Sequence, residues 1–163
     1  MLDLFAALSS DENLEVFWKL SLALLLGALL GLERIFAHKP AGVRTYSLVS
    51  MGSALFVVTS SIISDRYLAS GVFSDPLRVA SNILLGIGFL GAGVIIFKDS
   101  TLIGLTTAAG LWLSAGIGMA TGFGLYGAAF LATILTLFIF TVLYYVEKGL
   151  LKLYEKEDTP VDR

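Results

Sequence analysis

The sequence contains no cysteine and only one histidine among its 163 residues. The lack of cysteine excludes disulfides, thiolate metal sites and cysteine nucleophiles. A single histidine, with no pair of acids inside an apolar run, leaves little for general acid–base catalysis or metal chemistry. We therefore expect that the protein is not an enzyme, and we expect no metal, no cofactor and no nucleic-acid partner.

Charged residues are scarce as well, and apolar residues predominate. Charged residues make up 15% of the chain and hydrophobic residues 56%, with a mean hydropathy of +0.86, whereas charged residues are about 25% of an ordinary globular domain. This composition predicts a polytopic membrane protein in direct contact with the lipid bilayer. The first 15 residues carry acids but no basic cluster, which argues against a cleavable signal peptide, so we expect the first apolar run to be retained.

Five apolar segments are long enough to cross about 30 Å of hydrocarbon. They show no alternation of polar and apolar residues, which excludes membrane strands and favours helices. We predict an all-α transmembrane bundle, with a membrane domain over residues 1–147 and a short cytoplasmic tail over 148–163. The five predicted spans are residues 16–32, 45–64, 79–97, 103–120 and 123–146.

The basic residues divide unevenly between the two sides of the predicted bundle. One side carries Arg34, Lys39, Arg44, Lys98, Lys148, Lys152, Lys156 and Arg163, and the other carries Lys19, Arg66 and Arg78. By the positive-inside rule, the richer side faces the cytoplasm. We therefore expect a multi-pass protein of the bacterial inner membrane with its N-terminus outside and its C-terminus inside.

Small residues recur at helical spacing along several spans. In a bilayer such stripes let helix backbones approach closely, so they predict packing seams within the chain or between two copies in a homo-oligomer such as a dimer. The predicted packing positions are Gly27, Gly31, Gly86, Gly88, Gly91, Gly93, Gly110, Ser114 and Gly118.

A weak repeat joins the first two helical pairs. At an offset of 62, Gly31, Gly42 and Thr45 fall on Gly93, Gly104 and Thr107. This pattern predicts a parallel repeat of two helices, followed by a fifth helix.

Four short motifs occur in order along the chain. They are GLER at residues 31–34, AGVRT at 41–45, DPLRVASNILLGIGFLGAG at 75–93 and GLTTAAGLWLSAGIG at 104–118. Together they resemble the MgtC/SapB family of bacterial inner-membrane proteins. The resemblance implies an accessory factor associated with low magnesium, acid stress and virulence, which contacts membrane machines such as the F-type ATP synthase. The chain is similar to short SapB-type members that lack a C-terminal cytoplasmic domain.

The polar residues near the ends of the spans are the candidate functional residues. We expect Glu33 and Arg44 to form an ion pair across the first cytoplasmic loop, with an ordinary exposed pair as the alternative. Arg34 and Lys39 are expected to extend toward lipid headgroups.

On the opposite side, Asp75 is expected to cap the third helix, with Arg78 in its first turn. Asn82 shares a helix face with Gly86, which predicts a hydrogen bond between helices.

Three threonines mark the starts of the second and fourth helices. Thr45, Thr106 and Thr107 lie where free backbone amides face the basic side, close to Arg44 and Lys98. Such helix starts attract anions, so a lipid phosphate or a carboxylate of a partner is the expected ligand.

Two functions remain open from the residues. A binding module acting within the membrane fits the lack of acids at mid-span, because Mg²⁺ is usually held by carboxylates and retained waters. The alternative is a transporter or channel for Mg²⁺ or another small solute.

Overall fold

The computed structural model describes residues 11–69, 71, 75, 77–98 and 100–157. The described residues form a helical bundle, which confirms the predicted all-α class. In chain order the elements are α1 (Asp11–Phe36), α2 (Val43–Ala69), α3 (Leu77–Val94), β1 (Ile96–Lys98), β2 (Thr101–Ile103), α4 (Leu105–Gly122), α5 (Tyr126–Phe138), a π-helical turn (Ile139–Leu143) and α6 (Tyr144–Glu157).

Four of the helical segments are long and apolar enough to cross a membrane, in agreement with a multi-pass membrane protein. They are Asp11–Phe36, Val43–Ala69, Leu77–Val94 and Tyr126–Leu150, the last running through the π-helical turn. The 26 residues of α1 extend about 39 Å at 1.5 Å per residue, which exceeds the hydrocarbon thickness. Both α1 and α2 extend beyond the predicted spans 16–32 and 45–64 at each end.

The fourth predicted span, α4, is not among these four segments and lies among the other helices. It packs against α1, α2, α3 and α5. Half of its 18 residues are buried, including Thr107, Ser114 and Thr121. A helix enclosed by other helices tolerates glycine and hydroxyl side chains, because its polar groups find partners inside the protein.

The closest packing lies where α1 and α4 meet α2. A Cβ at Gly27 would lie 2.6 Å from the Tyr46 carbonyl oxygen, and one at Gly118 would collide with the Ser50 carbonyl. Ser114 donates a hydrogen bond of 3.0 Å to the Tyr46 carbonyl. These three contacts place the backbone of α2 directly against both neighbouring helices.

Not all of the predicted packing glycines have this role. No described atom lies within 4 Å of a Cβ built at Gly86, Gly88 or Gly93. The prediction of packing within the chain is wrong at these three positions, since α3 turns that part of its surface outward. A Cβ at Gly91 would lie at an ordinary contact distance of 3.6 Å from the Ala108 Cβ, while Cβ atoms at Gly31 and Gly110 would collide with Val43 and Tyr46.

The connection between α3 and α4 differs from the prediction. Residues 96–97 were expected to be helical, but β1 and β2 form a short antiparallel hairpin with Phe97 opposite Leu102. Gly104 leaves this hairpin with φ 96° and its Cβ position meets the Val94 carbonyl. A side chain is strained in that backbone region, so glycine is required there.

The helix starts agree with the predicted repeat. α2 begins at Val43 and α4 at Leu105, which are 62 positions apart. The environments differ, because Thr45 is exposed while Thr107 is buried. The equivalence therefore applies to backbone position and not to side-chain contacts.

Candidate functional site

Polar and charged side chains converge on a cavity at one end of the bundle, where α1 ends and α4 begins. The cavity has a volume of about 600 Å³ and we call it the basic cavity. Its charged and polar lining consists of Arg34, Lys39, Thr106, Glu147 and Lys148. The chain thus brings together residues from the end of α1, the following loop, the start of α4 and α6.

Arg34 is the central side chain of the basic cavity. It lies in the last turn of α1 and is 2% exposed. Its guanidinium carbon lies 3.5 Å from the centroid of the Phe140 ring, and Nη2 donates a long hydrogen bond of 3.5 Å to the Phe140 carbonyl. A guanidinium over an aromatic face gains cation–π attraction, which is strongest when the pair is desolvated.

Glu33 pairs with Arg34, which differs from the prediction. Nε and Nη2 of Arg34 both contact one carboxylate oxygen of Glu33. Arg44 is exposed, so the expected Glu33–Arg44 pair is replaced by a pair within α1. Arg34 was also expected to reach headgroups, and this is wrong because its side chain is drawn into the bundle.

Lys39 and Tyr144 also line the basic cavity. The Lys39 ammonium lies 5.8 Å from the centroid of the Tyr144 ring, at the outer limit of cation–π distance. Lys39 is exposed, so its charge is available at the cavity opening.

The π-helical turn explains how Phe140 reaches Arg34. A π turn widens the helix and changes its hydrogen-bonding pattern, and such turns are frequent at functional sites. Here the turn presents both the ring and the carbonyl of Phe140 to Arg34. Thr141 adds a hydrogen bond of 2.7 Å to the Leu137 carbonyl.

The threonines at the start of α4 have different surroundings. Thr107 is buried and its carbonyl accepts a 3.3 Å hydrogen bond from the Tyr46 hydroxyl. Thr106 is exposed and lines the basic cavity. The helix begins after Gly104, which provides no side-chain cap.

The predicted residues of the opposite end remain outside this site. The Asp75 carboxylate accepts a 2.9 Å hydrogen bond from the Leu77 amide, the contact expected of a cap. Arg78 and Asn82 are exposed. Asn82 and Gly86 line an apolar groove of about 570 Å³ between α2 and α3. The exposed Asn82 side chain makes no hydrogen bond to another helix among the described residues, so the expected hydrogen bond is not formed there.

The end of the bundle opposite the basic cavity carries ion pairs of its own. Lys19 lies 2.7 Å from Glu15, and Arg66 lies 3.7 Å from Glu12. The second pair joins α1 to α2. No group of three or more histidine, cysteine or acidic side chains suited to a metal ion occurs among the described residues.

Sequence reasoning did not assign two aromatic residues to the site. Phe140 and Tyr144 lie in a long apolar run, and a π turn has no known signature in a single sequence. Glu147 and Lys148 were visible as charges after the last span, but only the path of α6 brings them to the basic cavity.

Comparison with known proteins supports the family resemblance of the sequence motifs over most of the chain. A model of the MgtC family matches residues 20–149. Over 112 residues the chain is 46% identical to a protein of Brucella abortus named Protein MgtC, covering 69% of this chain and 44% of that protein. It is 38% identical over 131 residues to the Putative magnesium transporter YhiD of Escherichia coli K12, covering 80% of this chain and 61% of that protein.

A protein of Haemophilus influenzae with no assigned function is 41% identical over 137 residues, covering 82% of this chain and 58% of that protein. The chain spans about half the length of these relatives. No solved structure matches it. Since the family model covers well over half of the sequence, the chain belongs to the MgtC family.

Proposed function

We propose that the chain is an accessory protein of the bacterial inner membrane that supports adaptation to low magnesium or acid stress by binding other membrane components. The link to magnesium comes from relatives, one of which is named a putative magnesium transporter. The F-type ATP synthase is a proposed partner because the family resemblance implies it.

The observation that favours binding over conduction is the closed interior of the helix bundle. Along α2, a Cβ at Gly122 would lie 2.9 Å from the Ala54 carbonyl, and Gly27 and Gly118 are packed as closely. Contacts of this kind leave no room for a hydrated ion between α1, α2 and α4, since even one methyl group does not fit.

The chemistry of the buried polar groups supports the same proposal. Buried hydroxyls of Thr121, Thr133 and Thr136 donate to carbonyls four residues earlier in their own helices. Mg²⁺ prefers carboxylates and retained waters, and in the described chain the one partly buried acid of the basic end, Glu33, is bound to Arg34.

The alternative is transport of magnesium, and flux into liposomes distinguishes the two functions. We expect liposomes containing the purified chain and a Mg²⁺-sensitive dye to fill no faster than protein-free liposomes. The same chain is expected to restore growth in low magnesium to a bacterium that lacks its own copy. Saturable Mg²⁺ entry that depends on the protein would instead establish the transporter.

The orientation is part of the proposal and has its own test. The excess of basic residues at the end that holds Arg34, Lys39 and Arg44 supports a cytoplasmic location for the basic cavity. We expect a reporter fused after residue 163 to be cytoplasmic and one inserted near residue 70 to be external. Reporters on the same side would mean an even number of membrane crossings between residues 70 and 163, which would contradict the three spans predicted there and hence the five-span topology.

A further inference from the structure

We propose that the basic cavity binds a phosphate group, carried either by an anionic lipid headgroup or by free inorganic phosphate. The inference deepens the proposed binding role of this end of the bundle by naming its ligand class. A direct measurement of ligand binding tests this inference, so it can fail or succeed independently of the growth and flux results above.

The first support is the charge of the cavity wall. Three cationic side chains, Arg34, Lys39 and Lys148, line the cavity beside one acid, Glu147. Glu33 compensates Arg34 from within α1, yet cations still exceed acids in the combined set. An enclosed surface with an excess of one sign concentrates ions of the opposite sign.

The second support is the fixed position of the Arg34 guanidinium. Burial, the Phe140 ring at 3.5 Å and the Glu33 carboxylate hold the group in place. The contacts recorded for it among the described residues use Nε and Nη2, so the N–H groups of Nη1 are left for a ligand. Arginine suits phosphate because its guanidinium is always charged and its N–H groups donate charge-assisted hydrogen bonds.

The third support is the start of α4, which is independent of the side chains. The helix begins at Leu105 without a side-chain cap, and Thr106 lies on the cavity wall. The first amide N–H groups of a helix have no partners within that helix and carry a partial positive charge. The Thr106 hydroxyl adds a further donor beside them.

The shape of the cavity also suits a ligand that reaches in from the membrane interface. Its apolar lining includes Ile139, Leu143 and Tyr144 of the last helical segment, which are otherwise exposed. A lipid can place its phosphate among the cations while its acyl chains follow this segment, whereas free phosphate enters from water. Both sources present the same group to the same donors.

The test measures the ligand-dependent rise in the thermal unfolding temperature of the full chain in detergent. One arm adds inorganic phosphate against chloride at equal ionic strength. The other adds phosphatidylcholine vesicles with or without phosphatidylglycerol. We expect a rise in at least one arm, and the arm that responds identifies the source of the phosphate.

Two double variants make the test specific to the basic cavity. Lys39→Gln with Lys148→Gln removes two cavity cations, and we expect affinity to fall at least about tenfold, as loss of charge-assisted hydrogen bonds implies. Arg44→Gln with Lys98→Gln removes two exposed cations that do not line the cavity. The control is expected to stay within about twofold of the unmodified chain, since exposed charges are screened by salt.

Three outcomes overturn the proposal. One is an unmodified chain that responds to neither probe, which calorimetric titration with inorganic phosphate checks without any variant. The second is an equal loss of affinity in both double variants, which indicates diffuse attraction by the whole basic end. The third is full affinity in the Lys39 and Lys148 variant.

Discussion

Gly118→Ala is expected to destabilise the bundle severely, although it adds a single methyl group. That methyl would collide with the Ser50 carbonyl and lie 2.9 Å from the Ser50 Cα. Backbone of a packed helix cannot give way as a flexible side chain does, so α2 and α4 must separate. Overpacking usually costs about 1–3 kcal/mol and more where backbone must move. Unfolding in detergent, followed by circular dichroism, measures the loss.

Gly116→Ala is the matched control for this prediction. Gly116 lies two residues earlier in α4, and no described atom lies within 4 Å of its Cβ position. The same substitution should therefore be neutral or stabilise the helix by up to about 1 kcal/mol, because alanine is the better helix former. Equal effects at the two positions would contradict the close approach of α2 and α4.

The small residues of α3 and α4 show which part of helix packing can be predicted from a sequence. The four-residue spacing of Gly110, Ser114 and Gly118 predicted a contact face, and the structure places all three in buried positions. The same kind of spacing in α3 predicted a face at Gly88 that has no neighbour in the described chain. Spacing indicates that residues share a face, but the position of other helices determines what the face meets.

The positions of the helices were predictable from the sequence, but not all of their ends. Long apolar runs indicated where helices cross the membrane, because hydropathy reports transfer into lipid. It could not indicate the end of α3, since Ile96, Phe97 and Leu102 of the hairpin are as apolar as the helices beside them. Local hydrogen bonding in the hairpin determines that boundary.

The ion pair at the basic end was assigned to the wrong partner for a physical reason. Adjacent helix residues point about 100° apart, so Glu33 and Arg34 are not expected to face one another. Phe140 lies 106 positions from Arg34 in sequence and binds its guanidinium. The guanidinium is thereby held on the side of α1 that faces the bundle, where the Glu33 side chain can reach it. A contact over that distance in sequence has no local signal.

Loss of either member of the Glu33–Arg34 pair is expected to be strongly destabilising. The Arg34 side chain is 2% exposed and that of Glu33 15%. Arg34→Gln leaves the Glu33 carboxylate without its cation. Glu33→Gln leaves a buried guanidinium with only the Phe140 ring and a long hydrogen bond to the Phe140 carbonyl. Removing one partner of a buried pair costs about 3–5 kcal/mol, because the remaining charge is uncompensated. The free energy of unfolding in detergent measures both effects.

The double variant Glu33→Gln with Arg34→Met separates this explanation from simple loss of packing. Methionine keeps an unbranched apolar stem against Phe140, and no unpaired charge remains, so the double variant is expected to lose much less than the sum of Glu33→Gln and Arg34→Gln. Replacing both members of a buried pair with uncharged residues is often close to neutral. Exposed Arg44→Gln serves as the control, with an expected change within about 0.5 kcal/mol. A double variant as unstable as that sum would mean that the two charges do not compensate one another. Arg34 would then stabilise the bundle through Phe140 alone.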